Sequence, residues 1–165
     1  MVSPELLRRY PFFARMSLEH LTALADLSEE RTFAQGDSFF YEGQVLTHLY
    51  LVLQGQIALT LKLPVQGNRA VGPALSAQQR EVVLATVSAG ELFAWSSVVP
   101  PYESTLNGQA ATDGRMIELD SVALRTLFDR DPVFGFAFTL QIAQVMRDRI
   151  RDLHNESLAD LLEQA

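Results

Sequence analysis

From Gln56 to Leu63 every second residue is a large aliphatic: Ile57, Leu59, Leu61 and Leu63 alternate with Gln56, Ala58, Thr60 and Lys62. A period of two puts all four aliphatics on one face of an extended strand, which a helix cannot do. Such a strand needs neighbours for its backbone groups and a second layer for its apolar face, so this run commits the middle of the chain to a sheet. The run before it agrees. Leu49, Leu51 and Leu53 alternate with His48, Tyr50 and Val52, and Gly55 supplies the turn between the two strands. Residues 81–87 and 115–119 read as further strands. Residues 64–79 hold two Pro, two Gly and no sustained period, which predicts a loop. Pro100-Pro101 breaks any central strand, because two N–H donors are missing there.

Both ends change to a helical period. Ser3-Pro4-Glu5 combines an N-cap, a first-turn proline and an early acid, so a short helix starts there and Pro11 interrupts it. Ser17 is a second N-cap, and Leu18, Leu21, Leu24 and Leu27 predict an amphipathic helix ending near Ser28. After the sheet, Asp120 or Ser121 caps a short helix through Phe128. Asp131-Pro132 then opens a longer one, with Phe138, Ile142, Met146, Ile150 and Leu153 stepping by four or three. Unbroken to Glu163, that helix would run ~46 Å at ~1.5 Å per residue. This is longer than one small barrel can cover. Ile142, Met146, Ile150 and Leu153 are therefore expected to form a homodimer seam, while Arg147 to Asp152 alternate in charge toward solvent.

The 165 residues fit one domain, with N-terminal helices over 1–31, a β-region over 32–119 and C-terminal helices over 120–165. Cysteine is absent, so no disulfide, thiol nucleophile or cysteine-ligated metal is available. No apolar run approaches the ~20 residues of a membrane span, and the first fifteen residues do not read as a signal peptide. A cytoplasmic protein without membrane contact is expected. Thirteen Lys and Arg stand against twenty Asp and Glu, a net charge of −7, and no third of the chain is basic. Direct nucleic-acid contact is disfavoured on that ground. His20, His48 and His154 lie far apart with no acid at ligand spacing, so no metal site is expected, and no nucleophile or phosphate-loop motif occurs. No enzyme is expected.

The glycines of the β-region stand in a familiar order: Phe33-x-x-Gly36-Asp37, Glu42-Gly43, Tyr50-x-Val52-x-x-Gly55-x-Ile57 and Gly90-Glu91-Leu92-Phe93. Together they resemble the cyclic-nucleotide-binding domain, the sensory domain of catabolite-activator-type regulators, from about Phe12 to about Leu153. The resemblance implies a mainly β fold with flanking helices: a jelly-roll-like double-stranded β-helix of about eight strands, a short helix in the pocket segment, and a long C-terminal helix that pairs in a dimer. It also implies a small-molecule ligand held after the Gly-Glu-x-Phe turn, where N–H groups cradle a cyclic phosphate, an Arg neutralises it and a Glu takes the ribose hydroxyl. Carried over, the ligand-binding residues are Gly90, Glu91, Leu92, Phe93, Ala94, Trp95, Ser96, Ser97, Tyr102 and Ser104. No cofactor is expected; the ligand the resemblance implies is a cyclic nucleotide or another small molecule.

Two departures qualify this. The family's Gly-Glu pair is Ala94-Trp95 here, and Tyr102, Glu103 and Ser104 stand where its Arg belongs. The 34 residues 81–114 contain no Lys or Arg at all, so ordinary cyclic AMP binding is expected to be weak or absent. Trp95 reads either as a core aromatic or as a stacking surface for a flatter, less anionic ligand. Ser96 and Ser97 are expected to cap the short helix. The chain also stops at Ala165 with no helix-turn-helix, which predicts a stand-alone sensor. The alternative is a ligand-free dimeric scaffold of the same fold.

Overall fold

The computed structural model describes residues 2–64 and 79–163 and divides them into two compact units, one ending at Val122 and one beginning at Ala123. In the first unit, helix α1 (Pro4–Arg8) is capped by Ser3, whose hydroxyl accepts from the Leu6 N–H. Helix α2 (Leu18–Asp26) is capped in the same way by Ser17. Eight strands follow among the described residues: β1 (Ser28–Phe33), β2 (Ser38–Phe40), β3 (His48–Gln54), β4 (Ile57–Pro64), β5 (Gln79–Val87), β6 (Leu92–Phe93), β7 (Asn107–Ala110) and β8 (Gly114–Asp120). They form two antiparallel four-stranded sheets, ordered β1-β8-β3-β6 and β2-β7-β4-β5. The fold is the mainly β roll with flanking helices that the resemblance implies.

Gly36, Gly43, Gly55 and Gly90 all have φ between +77° and +93°, the left-handed region that a residue without Cβ enters cheaply. The glycine order of the sequence is therefore an order of turns. Between the sheets lies an apolar interior of Phe33, Phe40, Leu46, Tyr50, Val52, Ile57, Val87, Phe93, Ala110 and Met116, all buried. On β3 and β8 the opposite face is buried as well, through Leu49, Leu51, Ile117 and Leu119, while α1, α2 and the turn between them contribute Leu7, Phe13, Leu21 and Leu24. The Ser28 hydroxyl donates to the Leu24 carbonyl, and the Asp120 N–H donates to the Leu27 carbonyl, tying the end of α2 to the sheet.

Several boundaries differ from the sequence reading. The roll begins at Ser28 rather than near Thr32. Ser28 to Arg31 show no hydrophobic alternation, but they pair with β8 and place Arg31 on Glu118 at 2.8 Å and Glu30 on Arg115 at 2.9 Å. Strands β2, β6 and β7 are too short for a period to appear. The predicted loop 64–79 gives up Pro64 to β4 and Gln79 to β5, and the rest of it lies outside the described residues.

Helix α3 (Ser121–Arg130) follows β8, and α4 (Pro132–Glu163) follows α3. In the second unit Asp131 caps α4 by accepting from the Phe134 N–H at 3.0 Å. Phe128, Phe134 and Phe138 form a ring cluster with centroids 5.2–5.8 Å apart, in which Phe134 meets both neighbours edge-to-face. No helix of the described residues is long and apolar enough to cross a membrane.

Candidate functional site

The segment after Gly90 is anchored to the first sheet before it reaches the pocket residues. The Gly90 N–H donates to the Val52 carbonyl at 2.8 Å and the Val52 N–H donates to the Glu91 carbonyl at 3.1 Å. The Glu91 carboxylate closes its own turn by accepting from the Ser88 N–H at 2.7 Å. Leu92 and Phe93 are buried. Phe93 stacks on Tyr50 at 4.8 Å with the rings 18° apart, and Phe39 and Phe40 lie around them at 5.9–6.4 Å. Burial drives the Tyr50 hydroxyl up to about pKa 12, with the neighbouring Glu118 carboxylate adding to the shift. Arg31 is raised in turn by its hydrogen bond to Glu118.

Ala94 then turns the chain with φ +59° and ψ +29°, the conformation a glycine would take at the position where the resemblance expects one. A 3-10 turn, Trp95–Val98, follows. Its N-cap is Ala94, with no side-chain cap, so the expectation that Ser96 and Ser97 cap it is corrected for a physical reason. Ser97 is fully buried, and its Oγ instead accepts from the Ser121 hydroxyl at 2.7 Å. Trp95 and Ser96 are half-buried.

The far side of the segment is a small sheet-like clasp. Pro100-Pro101 is a cis peptide and Tyr102 is left-handed at φ +67°. The Tyr102 carbonyl accepts from the Leu46 N–H at 2.8 Å, the Ser104 N–H donates to the Gln44 carbonyl at 2.9 Å, and the Gly43 N–H donates to the Ser104 carbonyl at 2.7 Å. Val45 bridges Glu103. The Ser104 hydroxyl donates to the Leu106 carbonyl at 2.6 Å. The 43–46 half of this clasp was not legible in the sequence, because it is polar and has no period. Nor was Asn107, whose buried amide accepts from the Glu42 N–H and donates to Thr60.

Electrostatically the segment is bare of positive charge. Arg31 and Arg115 are engaged by Glu118 and Glu30, and the charged side chain within the clasp is the exposed Glu103. A separate cleft of about 360 Å³ lined by Asp26, Glu29, His48, Glu118 and Asp120 is acidic too. Among the described residues no three His, Asp or Glu come together to hold a metal. Of the expected seam on α4, Ile142 is buried at 1% exposure and Met146 is half-buried. Ile150 and Leu153 are about half exposed, and so is Leu140.

The family model of the cyclic nucleotide-binding domain matches residues 30–131. The CRP-like cAMP-activated global transcriptional regulator of Mycobacterium tuberculosis H37Rv is 24% identical over 159 residues, covering 96% of this chain. The chain spans 62% of that relative's length. The N-terminal domain of a transcriptional regulator from Streptomyces coelicolor A3(2) superposes with a TM-score of 0.65 at 28% identity, over 89% of this chain and 94% of that one. The catabolite activator protein of Thermus thermophilus does so with a TM-score of 0.63 at 25% identity, over 93% and 63%.

Proposed function

The chain belongs to the cyclic nucleotide-binding domain family, and on that premise we propose that it is a non-enzymatic sensory domain whose ligand is not cyclic AMP held in the usual manner. The observation that carries this is the 34-residue stretch 81–114 without a cation, with Glu103 in the clasp. A cyclic nucleotide brings a phosphodiester anion. Each charge-assisted hydrogen bond it forgoes is worth roughly 1.5–3 kcal/mol, or about one to two decades of affinity. Trp95, at the position of the ribose-binding Glu, removes a second anchor. The domain works in the cytoplasm as a homodimer through α4. With a net charge of −7 its own surface is not one that holds DNA.

Isothermal titration with cyclic AMP tests the reading. A dissociation constant weaker than ~0.1 mM is expected, and a micromolar constant overturns it. A second reading, a ligand-free dimeric scaffold, is favoured by the packed Phe40, Tyr50 and Phe93 inside the roll. The two separate by thermal shift, because a ligand that binds the native state raises Tm and a scaffold shows no shift with any compound.

A further inference from the structure

Resting on the sensory reading above, we propose that the segment 94–102 holds an uncharged planar ring against Trp95. Among the described residues the two non-glycine positions with left-handed backbone are Ala94 and Tyr102, and they bracket this one segment. Strain of that kind persists only where the surroundings over-determine it, and it concentrates at ligand clamps. Between the two positions the half-buried side chains are mostly apolar: Trp95, Val98 and Val99, with Pro100 and Pro101 contributing no N–H.

Three polar groups of the segment and its clasp are already committed. The Ser97 hydroxyl sits in its buried pair with Ser121, and the Ser104 N–H and hydroxyl go to the carbonyls of Gln44 and Leu106. The charge nearest in sequence is the exposed carboxylate of Glu103. An anion finds no Lys or Arg within residues 81–114 to neutralise it. A flat neutral ring gains stacking and apolar burial and avoids the larger desolvation cost of a buried charge.

Trp95 is the only tryptophan of the chain, so its emission reports on this segment directly. The full chain is titrated by calorimetry with adenosine, with cyclic AMP and with the uncharged dye N-phenyl-1-naphthylamine. Tm and Trp95 emission are followed in parallel. Adenosine and cyclic AMP share a ring system and differ in the charged phosphate. Adenosine is expected to bind at least about tenfold more tightly than cyclic AMP, and Trp95→Leu to weaken both uncharged probes by about tenfold or more. Glu103→Arg, at an exposed position that folding tolerates, is expected to narrow or reverse the order by improving cyclic AMP. Cyclic AMP equalling or beating adenosine in the unmodified chain overturns the ligand class and leaves the sensory reading standing. Ring binding that survives Trp95→Leu unchanged overturns the placement. No binding of any of the three at millimolar concentration sinks this proposal together with the sensory reading, in favour of the scaffold.

Discussion

Replacing Ile150 and Leu153 together by aspartate is expected to turn a dimer into a soluble monomer. Ile150 is 52% exposed and Leu153 48% exposed in the single chain. Fully burying such a side chain is worth roughly 1.5–3 kcal/mol, so the half still open to water is worth about 0.8–1.5 kcal/mol. A symmetric pair buries four of them, or roughly 3–6 kcal/mol in all, which is about two to four decades in the association constant. Two buried aspartates per chain add a desolvation cost in the same direction. Analytical ultracentrifugation reads the mass, and far-UV circular dichroism reads the roll. Because both positions are exposed, the roll's Tm should move little. Ile142→Ala serves as the contrast. At 1% exposure it is already buried in the single chain, so it should cost about 2–5 kcal/mol of folding stability rather than split a dimer. A monomeric unmodified chain, or a double variant that still dimerises, refutes the seam.

Two further outcomes follow from the interior and the pocket segment. Because burial raises Tyr50 from 10.0 to about 12, the folded state keeps a proton that the unfolded chain releases first. The associated stability is therefore intact below pH ~10 and is lost as pH rises toward 12. The loss amounts to roughly 2–3 kcal/mol; Tyr50→Phe should flatten this alkaline limb in urea titrations, and an unchanged limb would assign it to other groups. Ala94→Gly should raise Tm by about 2–4 °C, since a left-handed alanine costs about 1–2 kcal/mol that glycine avoids, less the added freedom of the unfolded chain. A lower Tm would mean that the Ala94 methyl group, packed against the core, matters more than the backbone strain.

The sequence by itself determined the helices at both ends, the strands β3, β4, β5 and β8, and the places where the chain turns. Both signals are local: the alternation over Ile57 to Leu63 needs only its own residues, and so do the serine caps at Ser3 and Ser17. Gly36, Gly43, Gly55 and Gly90 were readable as turns because a left-handed φ is a property of one residue. The absence of cations over residues 81–114 was equally plain, since charge is counted rather than folded. What the tertiary structure alone decided was pairing at a distance. Strand β1 is a charged stretch that becomes a strand only because β8 lies beside it and supplies Glu118 and Arg115. The clasp of residues 43–46 on Tyr102 to Ser104 joins two segments nearly sixty residues apart, neither of which carries a period. A serine beside a short helix reads as its cap, yet Ser97 makes no cap bond. Its hydroxyl went to Ser121 because both side chains are buried, and a buried hydroxyl must take whatever partner the fold brings within reach.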